Sequence, residues 1–156
     1  MVRSAIFPAA LLLLAAASAA DLPKGRIIDR VVCSAAARQS YALYLPSAYS
    51  AARTWPVLYC LEPSARGRLP LERFQEGAEK YGYIVAGSYN SRNGPMALAS
   101  EALQAMWRDT HETLSIDDRR AYLAGMSGGA RAATAFLKTG VFAGVIGGYQ
   151  WMIRPN

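Results

Sequence analysis

Residues 118–138, DRRAYLAGMSGGARAATAFLK, constrain this chain more than any other stretch. Residues 121–124 are a short apolar run that reads as a buried strand. Residues 130–137 are rich in alanine and free of breakers, which reads as a helix. Between them lie Gly125, Met126, Ser127, Gly128 and Gly129, so a strand turns into a helix at a serine. Glycines flanking the serine let strand and helix pack closely around a strained turn that lifts the hydroxyl above the sheet. That is the layout of a nucleophile elbow. The bare G-x-S-x-G spacing arises often by chance, and the bland alternative is a glycine-rich turn. The strand before, the helix after and the third glycine favour the elbow. Ser127 is therefore the candidate nucleophile and Gly125 and Gly129 the elbow glycines, and such a nucleophile needs a base and oxyanion donors from the rest of the chain.

The N-terminus carries a different signal. Arg3 gives a positive start, residues 6–17 are apolar but too few to span a bilayer, and Ala17, Ser18, Ala19 and Ala20 supply the small residues of a cleavage site. Residues 1–20 are expected to be a signal peptide, which makes the protein secreted or periplasmic. Residues 21–156 form the domain, long enough for a real core but small for a complete α/β enzyme. No later segment is expected to cross a membrane. The formal charge of +6 comes from scattered arginines without a basic stripe or interleaved aromatics, so no nucleic-acid partner is expected. Cys33 and Cys60 are compatible with a disulfide in an oxidising compartment, yet Cys60 lies in the core-like run VLYCL and equally suits a packed free thiol. With no CxxC and no histidine cluster, neither a metal nor a cofactor is expected.

Taken in order, residues 26–33 and 39–45 read as an opening hairpin around a loop at Ala35 to Ala37, and residues 55–61 (WPVLYCL) as a strand buried on both faces. Residues 70–81 read as a helix closed by Gly82, residues 83–86 as a strand, and residues 88–95 as a loop with the turn pair Asn93-Gly94. Leu98, Ala102, Met106, Thr110 and Leu114 recur every fourth residue, which predicts an amphipathic helix over 96–114. After the elbow helix, residues 142–146 read as a last strand. Strands alternating with helices imply a mostly parallel α/β sheet covered on both faces, with ligands outside the carboxyl ends of the strands. Ser127, the 62–68 loop and the 88–95 loop all fall at that end.

Read together, SYALYLP, WPVLYCLEP, YGYIVAGSYNSRNG, IDDRRAYLAGMSGGAR and FAGVIGG resemble the α/β-hydrolase superfamily. The likeness is greatest to secreted esterases related to polyhydroxybutyrate depolymerases and feruloyl esterases. It covers nearly all of the chain from residue 21 to Gly148. The resemblance implies a mostly parallel sheet opened by an antiparallel hairpin, and attack on a small-molecule or polymeric ester by Ser127 through an acyl-enzyme. It places one oxyanion donor on the backbone N–H of Gly128 and another on the loop after the third strand. Pro63 has no N–H, so Ser64 or Ala65 is the candidate there.

The sequence departs from that family where the triad should close. The family order is serine, acid, histidine, yet residues 128–156 contain no Asp, Glu or His. His111, the one histidine, is expected some way down a helix that leaves the catalytic end of the sheet, and reads as a partly exposed helix residue. Asp109 reads as a solvated surface charge, and Glu62 and Ser88 as polar groups of their loops. The tail from Gly148 to Asn156 leaves the resemblance abruptly, so the expectation is a C-terminally incomplete domain lacking the family's last strands. Residues 142–146 would then form an exposed edge through which the chain self-associates. Three readings remain at this point: an impaired secreted serine esterase, a non-catalytic ligand-binding protein on the same scaffold, and a truncated fragment without function.

Overall fold

The computed structural model describes residues 22–148. The signal peptide expected at residues 1–20 and the apolar tail residues Trp151, Met152 and Ile153 lie outside them. The elements in chain order are β1 (Ile27–Cys33), β2 (Ala36–Tyr44), β3 (Trp55–Leu61), α1 (Arg68–Tyr81), β4 (Ile84–Ser88), α2 (Met96–Thr113), β5 (Ile116–Met126), α3 (Gly128–Leu137) and β6 (Gly144–Gly148). They build a six-stranded sheet in the order β1-β2-β4-β3-β5-β6. β1 and β2 form an antiparallel hairpin and β2 meets β4 antiparallel. β3 pairs in parallel with β4 on one side and β5 on the other, and β5 pairs in parallel with β6. The expected mostly parallel sheet with an N-terminal antiparallel pair is the observed one.

Two apolar layers explain why the strands read as they do. Every residue of β3 is buried, because its alternate side chains enter opposite cores. Val57, Tyr59 and Leu61 pack with Leu103, Met106 and Ala132 under α2 and α3, while Leu58 and Cys60 pack with Leu71 and Ala78 under α1. The hairpin strand divides likewise, Tyr41 and Leu43 to the first core and Ala42 and Tyr44 to the second. Helix α1 stops where Gly82 takes a left-handed turn (φ 71°) and donates its N–H to Ala78 O, a conformation that only glycine adopts without strain.

The structure adjusts several sequence-based boundaries. The first turn is Ser34-Ala35 alone, and Ala36 and Ala37 already belong to β2. β5 begins at Ile116 instead of residue 121; its polar stretch 117–120 is half-buried or exposed, which concealed it from an apolar count. The last strand is Gly144–Gly148 and not 142–146; Phe142 instead packs edge-on against Trp107 with ring centroids 5.3 Å apart. Both cysteines are free and buried, and since Cys33 belongs to the core under α2 and Cys60 to the core under α1, the sheet lies between them. Burial, reinforced by the nearby Asp109 charge, pushes the Cys33 thiol up to about 12.

Asp109 is the clearest correction. Instead of a solvated charge it is 3% exposed and accepts hydrogen bonds from Ser34 N–H (2.7 Å), Ser34 Oγ (2.9 Å) and Tyr41 Oη (2.7 Å). Those bonds tie α2 to the β1–β2 turn. A buried carboxylate is tolerated because three donors replace its water.

Candidate active site

The register sets the carboxyl ends of the central strands on one rim, with Leu61 beside Gly125 and Met126 beside Gly148. Ser127 follows at the top of β5, exposed, with φ 50° and ψ −116°. A non-glycine residue with positive φ is uncommon and costs on the order of 1–3 kcal/mol. Two backbone bonds hold it: its N–H donates to Gly148 O (2.8 Å), and its carbonyl accepts from Arg131 N–H (3.1 Å). The turn is compact because its glycines have no side chain. A Cβ on Gly125 would lie 2.3 Å from Gly129 C and O, and one on Gly129 would lie 2.0 Å from Leu61 O. Helix α3 thereby sits directly on β5 and β3 and presents its first N–H groups, with the positive end of its dipole, beside the serine.

Gly128 has a neighbour that local sequence could not reveal. A Cβ there would fall 1.7 Å from Asn93 Oδ1, so the Asn93 carboxamide lies against the residue after the serine. Asn93 is fixed in turn by its N–H donating to Pro63 O (2.8 Å), and Ser64 bridges to Arg92. The 62–68 and 88–95 loops are thus joined to each other above the strand ends. Ser88, at the end of β4, accepts from the N–H groups of Asn90 and Ser91, both at 3.0 Å, and shapes the second loop.

Glu62 shapes the first. Its fully buried carboxylate accepts from Ser64 N–H (2.6 Å) and Arg66 N–H (3.0 Å) through Oε2, and from the Arg66 guanidinium through Oε1. Burial pushes this carboxyl up, but the hydrogen bonds from Arg66 and Ser64 and the guanidinium charge outweigh it and hold it below the ordinary carboxylate range. Ala65 donates its N–H to Glu62 O (3.2 Å) and takes φ 59°. The N–H groups of Ser64 and Ala65 are therefore both engaged inside their own loop, whereas Gly128 stands at the head of α3 beside Ser127.

His111 belongs to the other end of the sheet. Its Nδ1 is 2.7 Å from Trp107 O and its Nε2 is 2.8 Å from Asp118 Oδ1. Asp118 lies eight residues before Met126 on the same strand, about 26 Å at the rise of an extended chain. Around Ser127 the structure forms a cavity of about 440 Å³ lined by Ala130, Arg131, Thr134, Gly147 and Gly148 as well as the serine. Among the described residues no group of three His, Cys, Asp or Glu side chains is placed to hold a metal, and no helix is long and apolar enough to cross a membrane.

Comparison with known proteins supports this geometry at the level of fold. No protein-family model matches the chain, and no curated protein does either. Solved structures do. A fluorophosphonate-binding serine hydrolase F of Staphylococcus aureus aligns with a TM-score of 0.60 at 14% identity, over 79% of this chain and 56% of that one. A ferulic acid esterase aligns with a TM-score of 0.59 at 16% identity, over 77% of this chain and 56% of that one. An acetyl xylan esterase from Aspergillus awamori aligns with a TM-score of 0.56 at 15% identity, over 77% and 50%. The chain has an α/β-hydrolase-like fold, and it spans about half the length of these structures.

Proposed function

We propose that the chain carries the nucleophile of a serine hydrolase acting on carboxylic esters. The observation that supports this most is the backbone of Ser127, an exposed serine with φ 50° between β5 and the first turn of α3. In the proposed step Ser127 Oγ bonds to the ester carbonyl carbon, and the carbonyl π electrons move to oxygen. The Gly128 N–H steadies that oxyanion, with Ser64 or Ala65 as second donor once released from Glu62. Collapse expels the alkoxide, which takes up the serine proton as alcohol, and water then hydrolyses the acyl-enzyme. Because His111 is bonded to Asp118 at the opposite end of the sheet, no histidine of this chain receives that proton, and turnover by the chain alone is expected to be slow. Export is proposed on the character of residues 1–20; an intact mass beginning near residue 21 in exported material checks it.

The decisive experiment is labelling with a neutral fluorophosphonate. Slow, stoichiometric labelling that disappears in Ser127→Ala is the expected result. Absence of labelling in folded wild-type protein overturns the reading, and labelling as fast as in a complete esterase means that a base acts on Ser127 after all. One observation favours a second reading, ligand binding without turnover: the N–H groups of Ser64 and Ala65 are already bonded to Glu62. Under it, an ester would be retained without hydrolysis.

A further inference from the structure

We propose that Arg131 makes the Ser127 cavity selective for esters that carry a carboxylate, specifically half-esters of short dicarboxylic acids. The chemistry at the ester rests on the serine-hydrolase reading; the anion selectivity is a property of the cavity and is tested apart from it.

Arg131 is the one charged residue among those lining the cavity with Ser127. It is exposed and has no ion-pair partner among the described residues, whereas the arginines of the 62–68 loop and of β5 are engaged. Arg66 pairs with Glu62, Arg68 with Asp29 and Glu72, and Arg119 and Arg120 with Asp117. The first turn of α3 contains no acidic residue, so the guanidinium and the positive helix end both lack an anionic complement. Arg131 also stands in a fixed relation to the nucleophile, since its N–H donates to the Ser127 carbonyl across one helical turn.

That relation limits the length of the ligand. Ser127 and Arg131 line one cavity, and side chains on a helix lean back toward its N-terminus, the end at which the serine stands. A carboxylate a few methylene groups from the ester carbonyl lets one ligand meet both residues within that cavity. A guanidinium offers the carboxylate two parallel N–H donors, a recognition that neither an uncharged ester nor a lysine reproduces fully.

The test uses monomethyl succinate and its uncharged counterpart dimethyl succinate, titrated at low salt into the whole chain while the backbone amides of residues 128–131 are followed by NMR. Monomethyl succinate is expected to bind about twofold to fivefold more tightly than the diester, the value of one exposed charge pair. Arg131→Gln is expected to erase that difference, Arg131→Lys to retain part of it, and added salt to weaken it. Equal binding of the two esters by wild-type protein, or an undiminished preference in a folded Arg131→Gln variant, overturns the proposal. Labelling of wild-type Ser127 by a neutral fluorophosphonate is read separately: its failure removes the hydrolase reading and leaves the anion preference to be decided by the titration.

Discussion

Replacing Gly129 by alanine tests the construction of the elbow most directly. The new Cβ would fall 2.0 Å from Leu61 O and 2.7 Å from Leu61 C, where comfortable carbon contacts lie at about 3.5–4.0 Å. Either β3 or the head of α3 must yield by more than about 1 Å. β3 is held between β4 and β5, so the helix is the element expected to move. Overpacking of this kind costs about 1–3 kcal/mol, and the upper half of that range applies because Gly125 closes on Gly129 from the other side, at 2.3 Å from a built Cβ. A gain in helix propensity of up to about 1 kcal/mol offsets part of it, leaving a net loss of about 1–2 kcal/mol. Urea unfolding should show the midpoint lowered by about 0.5–1 M at unchanged slope. Fluorophosphonate labelling of Ser127 should slow by on the order of tenfold to a hundredfold, since an ångström of displacement suffices for such losses. Gly77 supplies the control: it is exposed in α1 and its Cβ would meet nothing within 4 Å, so Gly77→Ala should stabilise by about 0.5–1 kcal/mol. A Gly129→Ala protein as stable and as reactive as wild type would refute the close-packed elbow.

Three other outcomes are expected. Tyr41→Phe removes one of three donors from the buried Asp109 carboxylate and should cost about 1.5–3 kcal/mol in urea unfolding; no measurable change would mean that this contact does not stabilise the fold. Glu62 has a folded pKa below its unfolded value, so the folded state binds fewer protons. Its contribution is complete above about pH 4.3 and is lost as pH falls through the folded value; Glu62→Gln should flatten this acid limb, and an identical pH profile would remove Glu62 as its source. Finally, β6 pairs with β5 on one side, no strand covers its other side among the described residues, and Ile146 is 55% exposed. We propose self-association through this edge, visible as sedimentation that depends on concentration; a monomer at every concentration would exclude it.

The fold was legible wherever a local pattern reported burial. The run WPVLYCL announced a strand inside the sheet because both its faces enter apolar layers, and the fourfold spacing of α2 announced its buried stripe. Where the physics lay between distant segments, the sequence was silent or misleading. Asp109 sits three residues after Met106 and seven after Ala102, on the buried side of its helix, and that spacing was the available signal. Its charge concealed it, since the partner that makes burial tolerable, Tyr41, is 68 residues away. Asn93 read as half of a turn pair because nothing within 88–95 shows that its carboxamide rests on Gly128. The turn at Ser127 was legible in part for the opposite reason: Gly125 is required by Gly129, four residues on, and such a requirement leaves a spacing that can be read, whereas the Leu61 carbonyl that requires Gly129 is 68 residues away.

The backbone strain of the described chain is concentrated where these loops meet. Its two non-glycine residues with positive φ are Ser127 and Ala65, one following β5 and the other following β3, neighbouring strands whose ends lie level at Leu61 and Gly125. Each is held by its surroundings rather than by its own preference. Ser127 is fixed by Gly148 O and Arg131 N–H, Ala65 by the Glu62 carbonyl and by the bonds that the Glu62 carboxylate makes to Ser64 and Arg66 on either side of it. A buried carboxylate and two strained residues, each costing on the order of 1–3 kcal/mol for the strain alone, are an unfavourable way to finish two strands if stability is the only requirement. An ordinary turn would close them at lower cost. That the strain falls on the serine beside a cavity, and on the loop that the neighbouring strand carries to the same rim, is why the rim reads as a site for chemistry or capture rather than as a connection between elements.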